Sequence, residues 1–182
     1  MGTQAAVITF PEGPDFDMTA QPRGPYRMTL AERDALPVPA QQLELRGKIE
    51  LLERVMKSPA LEAAGLQRLD PEDPVMLRHI HTPGIYAREF KMKAGSVVVG
   101  KLHAQEHLCT ISAGRALVTT EAGTQEIAAP CTFVSPAGSK RALVILEDMV
   151  WTTYHRSDET DLQRLEAELI ISEGEQPWLG VQ

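Results

Sequence analysis

The hydrophobic positions of the chain begin without any regular spacing. Residues 1–40 contain many prolines and glycines, and their hydrophobic side chains follow neither a helical nor a strand period. Such a composition is typical of an extended segment that does not bury a core of its own. We therefore interpret residues 1–40 as an extended N-terminal arm.

A helical period follows between residues 41 and 57. Apolar side chains recur there at spacings of three and four, at Leu45, Ile49, Leu52 and Met56. This pattern predicts an amphipathic helix, which should end near Ser58-Pro59 because the residue before a proline avoids helical dihedrals. Residues 58–84 contain repeated Asp-Pro and Pro-Gly pairs and are predicted to be loop.

From Ile85 to His155 the pattern becomes an alternation, broken by turn residues about every 8–12 positions. The candidate strands span residues 85–92, 96–103, 107–112, 115–120, 124–128, 131–135, 141–146 and 149–155. About eight short strands in this span predict a β-barrel or sandwich, since closure protects strand edges. A capping box at Thr160 and Gln163, followed by an apolar stripe, predicts a last helix.

These patterns predict one mainly β domain with flanking helices. Residues 1–40 form the arm, 41–84 a helix and loop, 85–156 the barrel, and 157–182 a C-terminal helix and tail.

The net charge of −7 and the absence of a long basic run argue against nucleic-acid binding. No apolar run approaches 18 residues and no signal-type start is present, so we expect a cytoplasmic protein without membrane contact. Cys109 and Cys131 lie in apolar segments and are expected to be reduced thiols.

Alternation also predicts which side chains point into the barrel. The expected inward sets are Val97, Val99, Lys101 and His103; His107, Cys109 and Ile111; Arg141, Leu143 and Ile145; and Met149, Trp151, Thr153 and His155. Each set that carries a polar group mixes it with hydrophobic neighbours. A polar group buried without a partner costs several kcal/mol, so these groups should pair with one another or bind something.

Two runs in this region resemble known motifs. Gly95-x5-Lys101-x-His103-x3-His107-x6-Gly114 resembles the first cupin motif, and Pro136-Ala137-Gly138-Ser139-Lys140-Arg141 resembles the second. The resemblance covers about residues 85–155 and implies a single-domain cupin, which is a double-stranded β-helix or jelly-roll barrel. The runs Tyr86–Glu89, Glu106–Leu108 and Val150–His155 are also similar to small cupin-like proteins of tailed bacteriophages and prophages. That similarity implies a host-cytoplasmic or virion setting.

The cupin resemblance implies a metal site of three histidines and a glutamate, but several positions differ. Lys101 stands at the first histidine position and His103 at the second, whereas His107 replaces the glutamate and Arg141 the second-motif histidine. Two unit charges about 4 Å apart interact by about 4 kcal/mol at an effective dielectric of 20, so these cations disfavour a four-ligand metal site. His155 could instead complete a set of three imidazoles for zinc, iron or nickel, with Glu106 as a fourth or supporting partner.

Two other interpretations of the same pocket stay open. Lys101, His103, His107 and Arg141 could bind a carboxylate or phosphate, with Arg141 as a bidentate donor. Alternatively, Arg141 pairs with a buried glutamate such as Glu89 or Glu147 and nothing binds. Lys101 could also pair with Glu106. His79 and His81 share one strand face, and we interpret them as surface histidines.

The sequence therefore predicts a phage or prophage cupin-like protein whose pocket holds a small ligand or a metal without catalysis. A structural or assembly protein is one alternative, because the arm could join a homo-oligomer or contact a viral or host protein. A metal-dependent oxygenase, isomerase or lyase is the other, with His103, His107 and His155 as ligands. No residue in the motifs is an obvious general base, so no catalytic residue is predicted.

Overall fold

The computed structural model of the protein describes residues 6–9, 44–70, 73 and 76–171. Within those residues the helices are α1 Leu45–Met56, α2 Ala60–Ala63 and α3 Leu162–Leu169. The strands are β1 Ala6–Thr9, β2 Gln67–Arg68, β3 Leu77–Thr82, β4 Ile85–Met92, β5 Ser96–Val99, β6 His107–Thr120, β7 Gly123–Ala128, β8 Cys131–Ser135 and β9 Ala142–His155. All the strand pairs are antiparallel. This mainly β architecture with flanking helices confirms the predicted fold class.

The two longest strands, β6 and β9, pair with each other along most of their length and carry different neighbours at their two halves. One half forms the order β3-β4-β9-β6-β8, which we call the first leaf. The other half forms β2-β1-β5-β9-β6-β7, which we call the second leaf. Because both leaves share β6 and β9, the sheet folds over on itself and encloses a core.

The fold between the leaves occurs at Gly114. The β6–β9 register shifts on both sides of this residue, which has a φ of +84°. A Cβ atom placed here would lie 2.3 Å from the Asp148 carbonyl oxygen and 2.6 Å from the Met149 Cα. The sequence predicted separate strands on either side of this point and again near residue 147, but each pair is one bent strand, so those predicted boundaries were wrong.

The core lies between the two leaves. Its buried members come from the four strands β4, β5, β6 and β9 and are Met92, Val98, Cys109, Ile111, Ala116, Val118, Leu143, Ile145, Met149 and Trp151. The predicted inward alternation of β6 and β9 is therefore confirmed for their apolar positions. Cys109 is buried, Cys131 is half-buried, and both are free thiols.

The prediction for β5 was wrong about which side chains face the core and about the length of the strand. The strand ends at Val99, and it is Val98 that faces the core between the leaves. Val97 and Val99 pack instead against Ile49 and Met56 of α1. A strand covered on both faces reads as a continuous apolar run, so alternation could not tell which residues point inward.

The segments outside the barrel also depart from the prediction. Residues 58–84 were expected to be loop, yet they contain α2, β2 and β3, and β3 pairs with β4 along its whole length. Residues 6–9 of the predicted arm form β1, which pairs with β2 and β5. The rest of the arm and the tail from residue 172 onward lie outside the described residues.

The two longer helices begin later than predicted. Helix α1 begins at Leu45, with Glu44 as its N-cap, and residues 41–43 lie outside the described part of the chain. The N-cap of α3 is Asp161 rather than Thr160. Its carboxylate accepts hydrogen bonds at 3.0 Å from the backbone N–H groups of Gln163 and Arg164. An ionised carboxylate at this position satisfies two N–H donors that would otherwise have no partner in the helix.

Candidate metal centre

Three histidines from different segments meet at one end of the core. His103 lies in the irregular segment after β5, His107 is the first residue of β6, and His155 is the last residue of β9. One ring nitrogen of each lies within 4.8 Å of those of the other two. The ring centroids are separated by 4.2 Å (His103–His107), 4.9 Å (His103–His155) and 4.5 Å (His107–His155).

The segment that carries His103 is held mainly by residues at the end of α3. His103 forms a β-bridge with Ile170. Next to it, the Ala104 N–H donates to the Leu169 carbonyl at 2.8 Å, and the Ile171 N–H donates to the Leu102 carbonyl at 2.9 Å. The position of one of the three imidazoles therefore depends on the C-terminal helix.

All three imidazoles are held in their neutral form. Burial, together with the charges of His107 and His155, lowers the pKa of His103 to about 2. Burial and the neighbouring His107 lower the pKa of His155 to about 4. Burial also lowers the pKa of His107, against the opposing effect of its hydrogen bond to the Gln105 carbonyl. A neutral imidazole offers the lone pair that a metal ion binds.

The hydrogen bonds of the rings indicate which nitrogens are available. The His107 Nδ1 lies 3.0 Å from the Gln105 carbonyl oxygen. A carbonyl only accepts, so Nδ1 carries the proton and donates, which leaves Nε2 as the lone pair. The His155 Nε2 lies 3.2 Å from the Thr153 hydroxyl. The His103 Nδ1 is buried and has no hydrogen-bond partner among the described residues.

These nitrogens fit a metal ion with a small inward movement. Two nitrogens bound to one zinc ion at about 2.0–2.1 Å lie about 3.4 Å apart in a tetrahedral site. The outer limit here is 4.8 Å, so the rings would approach by no more than about 1.4 Å.

The predicted cationic residues lie near the histidines, but their partners differ from those expected. The Lys101 side chain is 4% exposed and pairs with Glu166 of α3 at 2.7 Å, not with Glu106. Glu106 is exposed and does not belong to the histidine group. The Arg141 Nη2 donates to the Ser135 hydroxyl at 2.7 Å.

Neither glutamate proposed as a partner for Arg141 contacts it. Glu89 lies 3.8 Å from Arg78, and Glu147 pairs with Arg115 at 3.1 Å. The structure thus removes the interpretation in which one of these two glutamates neutralises Arg141.

His79 and His81 do not belong to the histidine group. The His79 Nδ1 lies 2.7 Å from the Tyr86 hydroxyl, and the His81 ring lies 5.1 Å from the Tyr86 ring. Tyr86 in turn stacks on His155 at 6.1 Å, so these residues support the outer side of the site.

A cavity of about 100 Å³ adjoins His103 and His107 on the core side. Its walls are formed by Arg88, Phe90, Met92, Val98, Gly100, Lys101, His103, His107, Cys109, Arg141, Leu143, Trp151 and Thr153. Sequence reasoning missed Arg88, although the alternation of Arg88, Phe90 and Met92 along β4 carries the signal. Glu166 and Ser135 were also missed, and no sequence pattern marks them as partners of Lys101 and Arg141.

Comparison with known proteins gives a likeness to solved structures alone. No protein-family model matches the chain, and no curated protein matches it. A conserved protein of unknown function from Streptococcus pyogenes is 22% identical, with a TM-score of 0.38, over 47% of this chain and 75% of that one. KdgF from Halomonas sp. is 20% identical, with a TM-score of 0.39, over 46% of this chain and 79% of that one.

A cupin-2 domain containing protein from Shewanella frigidimarina is 11% identical, with a TM-score of 0.38, over 44% of this chain and 79% of that one. Similarities with TM-scores this low do not indicate what this chain does.

Among the described residues, no helix is long and apolar enough to cross a membrane.

Proposed function

We propose that this chain is a cupin-type protein that binds one divalent metal ion through His103, His107 and His155. The cluster of three neutral imidazoles is the observation that carries the proposal. Two of the three, His103 and His107, stand at positions of the first cupin motif. The third, His155, is the last residue of β9, and the alternation along that strand predicted that it points inward.

Pairing removes one part of the charge objection to a metal in this pocket. Lys101 stands where a cupin has a histidine, but its ammonium is paired with Glu166 at 2.7 Å. The positive charges that stay near the site are Arg141, from the second motif, and Arg88 of β4. Three neutral histidines are a common set for zinc, and imidazole also suits iron and nickel.

Binding is a better-supported role than catalysis. The residues that the structure places around the cavity include no carboxylate. A three-histidine site would leave coordination positions for water or a small ligand. A metal-dependent oxygenase, isomerase or lyase is the alternative enzyme hypothesis, and its proton-transfer group would be a histidine, Lys101, Cys109, water or the ligand itself.

The biological setting is proposed from the sequence alone. The similarity to small phage and prophage proteins supports a role during infection. The predicted arm supports contact with a second copy or with a viral or host protein, in a virion or in the host cytoplasm. These three points remain predictions.

Metal content is the direct test of the proposed function. The purified full chain is stripped with chelator, dialysed separately against zinc, iron(II) and nickel, and analysed for bound metal. We expect about one ion per chain for at least one metal, as a three-imidazole site requires, and a loss of that ion in His103→Ala and in His155→Ala.

His81→Ala is the matched control, because it removes an exposed imidazole outside the group. It should retain the metal of the unaltered protein. Equal metal content in all four proteins, or none in any, would contradict the proposal. Circular dichroism of each variant establishes that a loss of metal is not a loss of fold.

A further inference from the structure

Arg141 is a cation on the cavity wall, and no carboxylate among the described residues forms an ion pair with it. In the part of the chain that the structure describes, its side chain makes one hydrogen bond, to Ser135. Its guanidinium carbon lies 6.0 Å from the centre of the Phe133 ring. Burial lowers the pKa of Arg141, yet a guanidinium stays protonated in proteins and keeps its five N–H donors. A partly desolvated charge of this kind is stabilised by an anion.

The position of Arg141 would place a bound anion next to two of the histidines. Arg141, His103 and His107 line the same cavity. Lys101 lines the same cavity but already has Glu166 as its counter-ion. Arg88 also lines the cavity, on β4. We assign the anion to Arg141, because its side chain makes no ion pair within the described residues and can donate two parallel N–H bonds to a carboxylate.

The remainder of the cavity wall is suited to an apolar group. Phe90, Met92, Val98, Leu143 and Trp151 line it. Its volume is about 100 Å³. A cavity of about 150 Å³ holds benzene, so this one has room for about four or five non-hydrogen atoms. A short aliphatic chain with one charged end has this size and this polarity.

A groove on the outside of the core also reaches Arg141. A groove of about 700 Å³ runs along β7, β8 and the 136–141 segment, and Arg141 lines both the groove and the cavity. The two carboxylates on the groove wall are each paired, Glu121 with Arg46 at 2.6 Å and Glu126 with Arg115 at 2.9 Å. Their charges therefore oppose the approach of an anion only weakly.

We propose that the cavity binds a small aliphatic monocarboxylate, whose carboxylate is held by Arg141 beside His103 and His107 and whose apolar end lies against Leu143 and Trp151. This inference rests on the proposed function, since the ligand shares its cavity with the metal. In the cupin motif a glutamate would bring a negative charge to this place, and here His107 stands at its position. The carboxylate of the ligand supplies that negative charge instead.

The test uses propanoate and its uncharged isostere propanamide as probes. Binding of each is followed by ligand-observed NMR with the full chain, both metal-stripped and zinc-loaded, and bound zinc is measured on the same samples. We expect propanoate to bind and propanamide not to bind. Arg141→Gln should weaken propanoate binding by about tenfold or more and leave the zinc content unchanged.

Arg115→Gln is the matched control, because it removes an arginine from the outer surface that pairs with Glu126 and Glu147. It should bind propanoate like the unaltered protein. If Arg141→Gln does not fold, Arg141→Lys replaces it and should also weaken binding, since lysine lacks the planar fork. Equal propanoate affinity in the folded Arg141 variant and the unaltered protein overturns the inference, as does an absence of binding.

The two proposals fail separately in this experiment. Zinc bound by all proteins without any propanoate binding overturns the carboxylate inference and leaves the metal centre standing. Propanoate binding that depends on Arg141, in a protein that takes up no metal, overturns the metal centre and leaves the carboxylate site standing.

Discussion

At the scale of single residues, the site combines imidazoles that stay neutral with the guanidinium of Arg141, which stays charged. The imidazoles of His103 and His155 have pKa values of about 2 and about 4, chiefly because they are buried. Arg141 adds positive charge nearby and keeps it at neutral pH. The pocket therefore favours the binding of a cation through lone pairs and of an anion through N–H donors.

The lowered pKa values predict how the stability of the metal-stripped protein depends on pH. In the unfolded chain the histidines take up protons near pH 6.5, whereas in the folded protein His155 does so near pH 4 and His103 near pH 2. The unfolded state thus binds more protons below pH 6.5, and the free energy of unfolding falls as the pH is lowered. Each histidine contributes a loss on the order of 1 kcal/mol per pH unit within its window.

Urea unfolding between about pH 7.5 and 5 measures this slope above the range in which carboxylates titrate. His103→Gln, which cannot be protonated there, should show a shallower slope than the unaltered protein. A slope that is the same in both proteins would show that the imidazole of His103 is not held neutral by the fold.

Sequence reasoning identified the members of the site better than their partners. Motif spacing marked His103, His107 and Arg141, and alternation along β9 marked His155. The ion pair of Lys101 with Glu166 and the hydrogen bond of Arg141 to Ser135 join residues whose proximity only the folded chain establishes. Such partners depend on how α3 and β8 pack, which no local pattern records.

At the scale of secondary-structure elements, the bend of β6 over β9 fixes the relation of the two leaves. Gly114 allows the close approach of β9, because it has no Cβ and adopts a φ of +84°. The apolar positions of β6 and β9 then face a single core on both sides of the bend.

This bend predicts unequal costs for two glycine substitutions. Gly114→Ala should destabilise the protein by about 3 kcal/mol or more, because it adds a steric clash to an unfavourable backbone conformation. Gly84→Ala has a similar φ of +78° but nothing within 4 Å of the new Cβ, and it should cost only about 1–2 kcal/mol. Urea unfolding of both variants measures the difference, and equal losses would contradict the close approach at Gly114.

The predicted elements were most accurate where turn residues bound an isolated strand. Strands β4 and β8 span 85–92 and 131–135, as the sequence indicated. Strand β3 was missed because His79 and His81 interrupt its apolar pattern and Pro83-Gly84 was interpreted as loop rather than as the turn of a β3–β4 hairpin. The inward face of β5 was missed because α1 covers its other face, a contact between segments far apart in the chain.

At the scale of the whole molecule, the metal would act as a cross-link between the two ends of the barrel segment. His103 and His107 lie before and at the start of β6, whereas His155 ends β9. A ligand that binds only the folded state stabilises it by RT ln(1 + [L]/Kd). At a concentration 100-fold above Kd this amounts to about 2.7 kcal/mol.

We therefore expect zinc, or the metal that binds best, to raise the melting temperature by about 5–10 °C at that concentration. Thermal melts of the stripped and loaded protein measure the shift. His81→Ala should show the same shift, and His155→Ala should show almost none. A shift of equal size in His155→Ala would place the stabilising ion elsewhere on the molecule.

The backbone contacts between His103 and the end of α3 have a consequence for how the protein is made. The leaves of the barrel can pair as soon as β9 has been synthesised. The segment with His103 can by then accept one hydrogen bond from the Gly138 N–H, but it gains its other backbone partners only after Leu169, Ile170 and Ile171. Metal uptake is thus expected to come late in biosynthesis. A chain interrupted before α3 would hold the strands of a barrel and two of the three imidazoles in place, and would leave the residue of the third with only its hydrogen bond from Gly138.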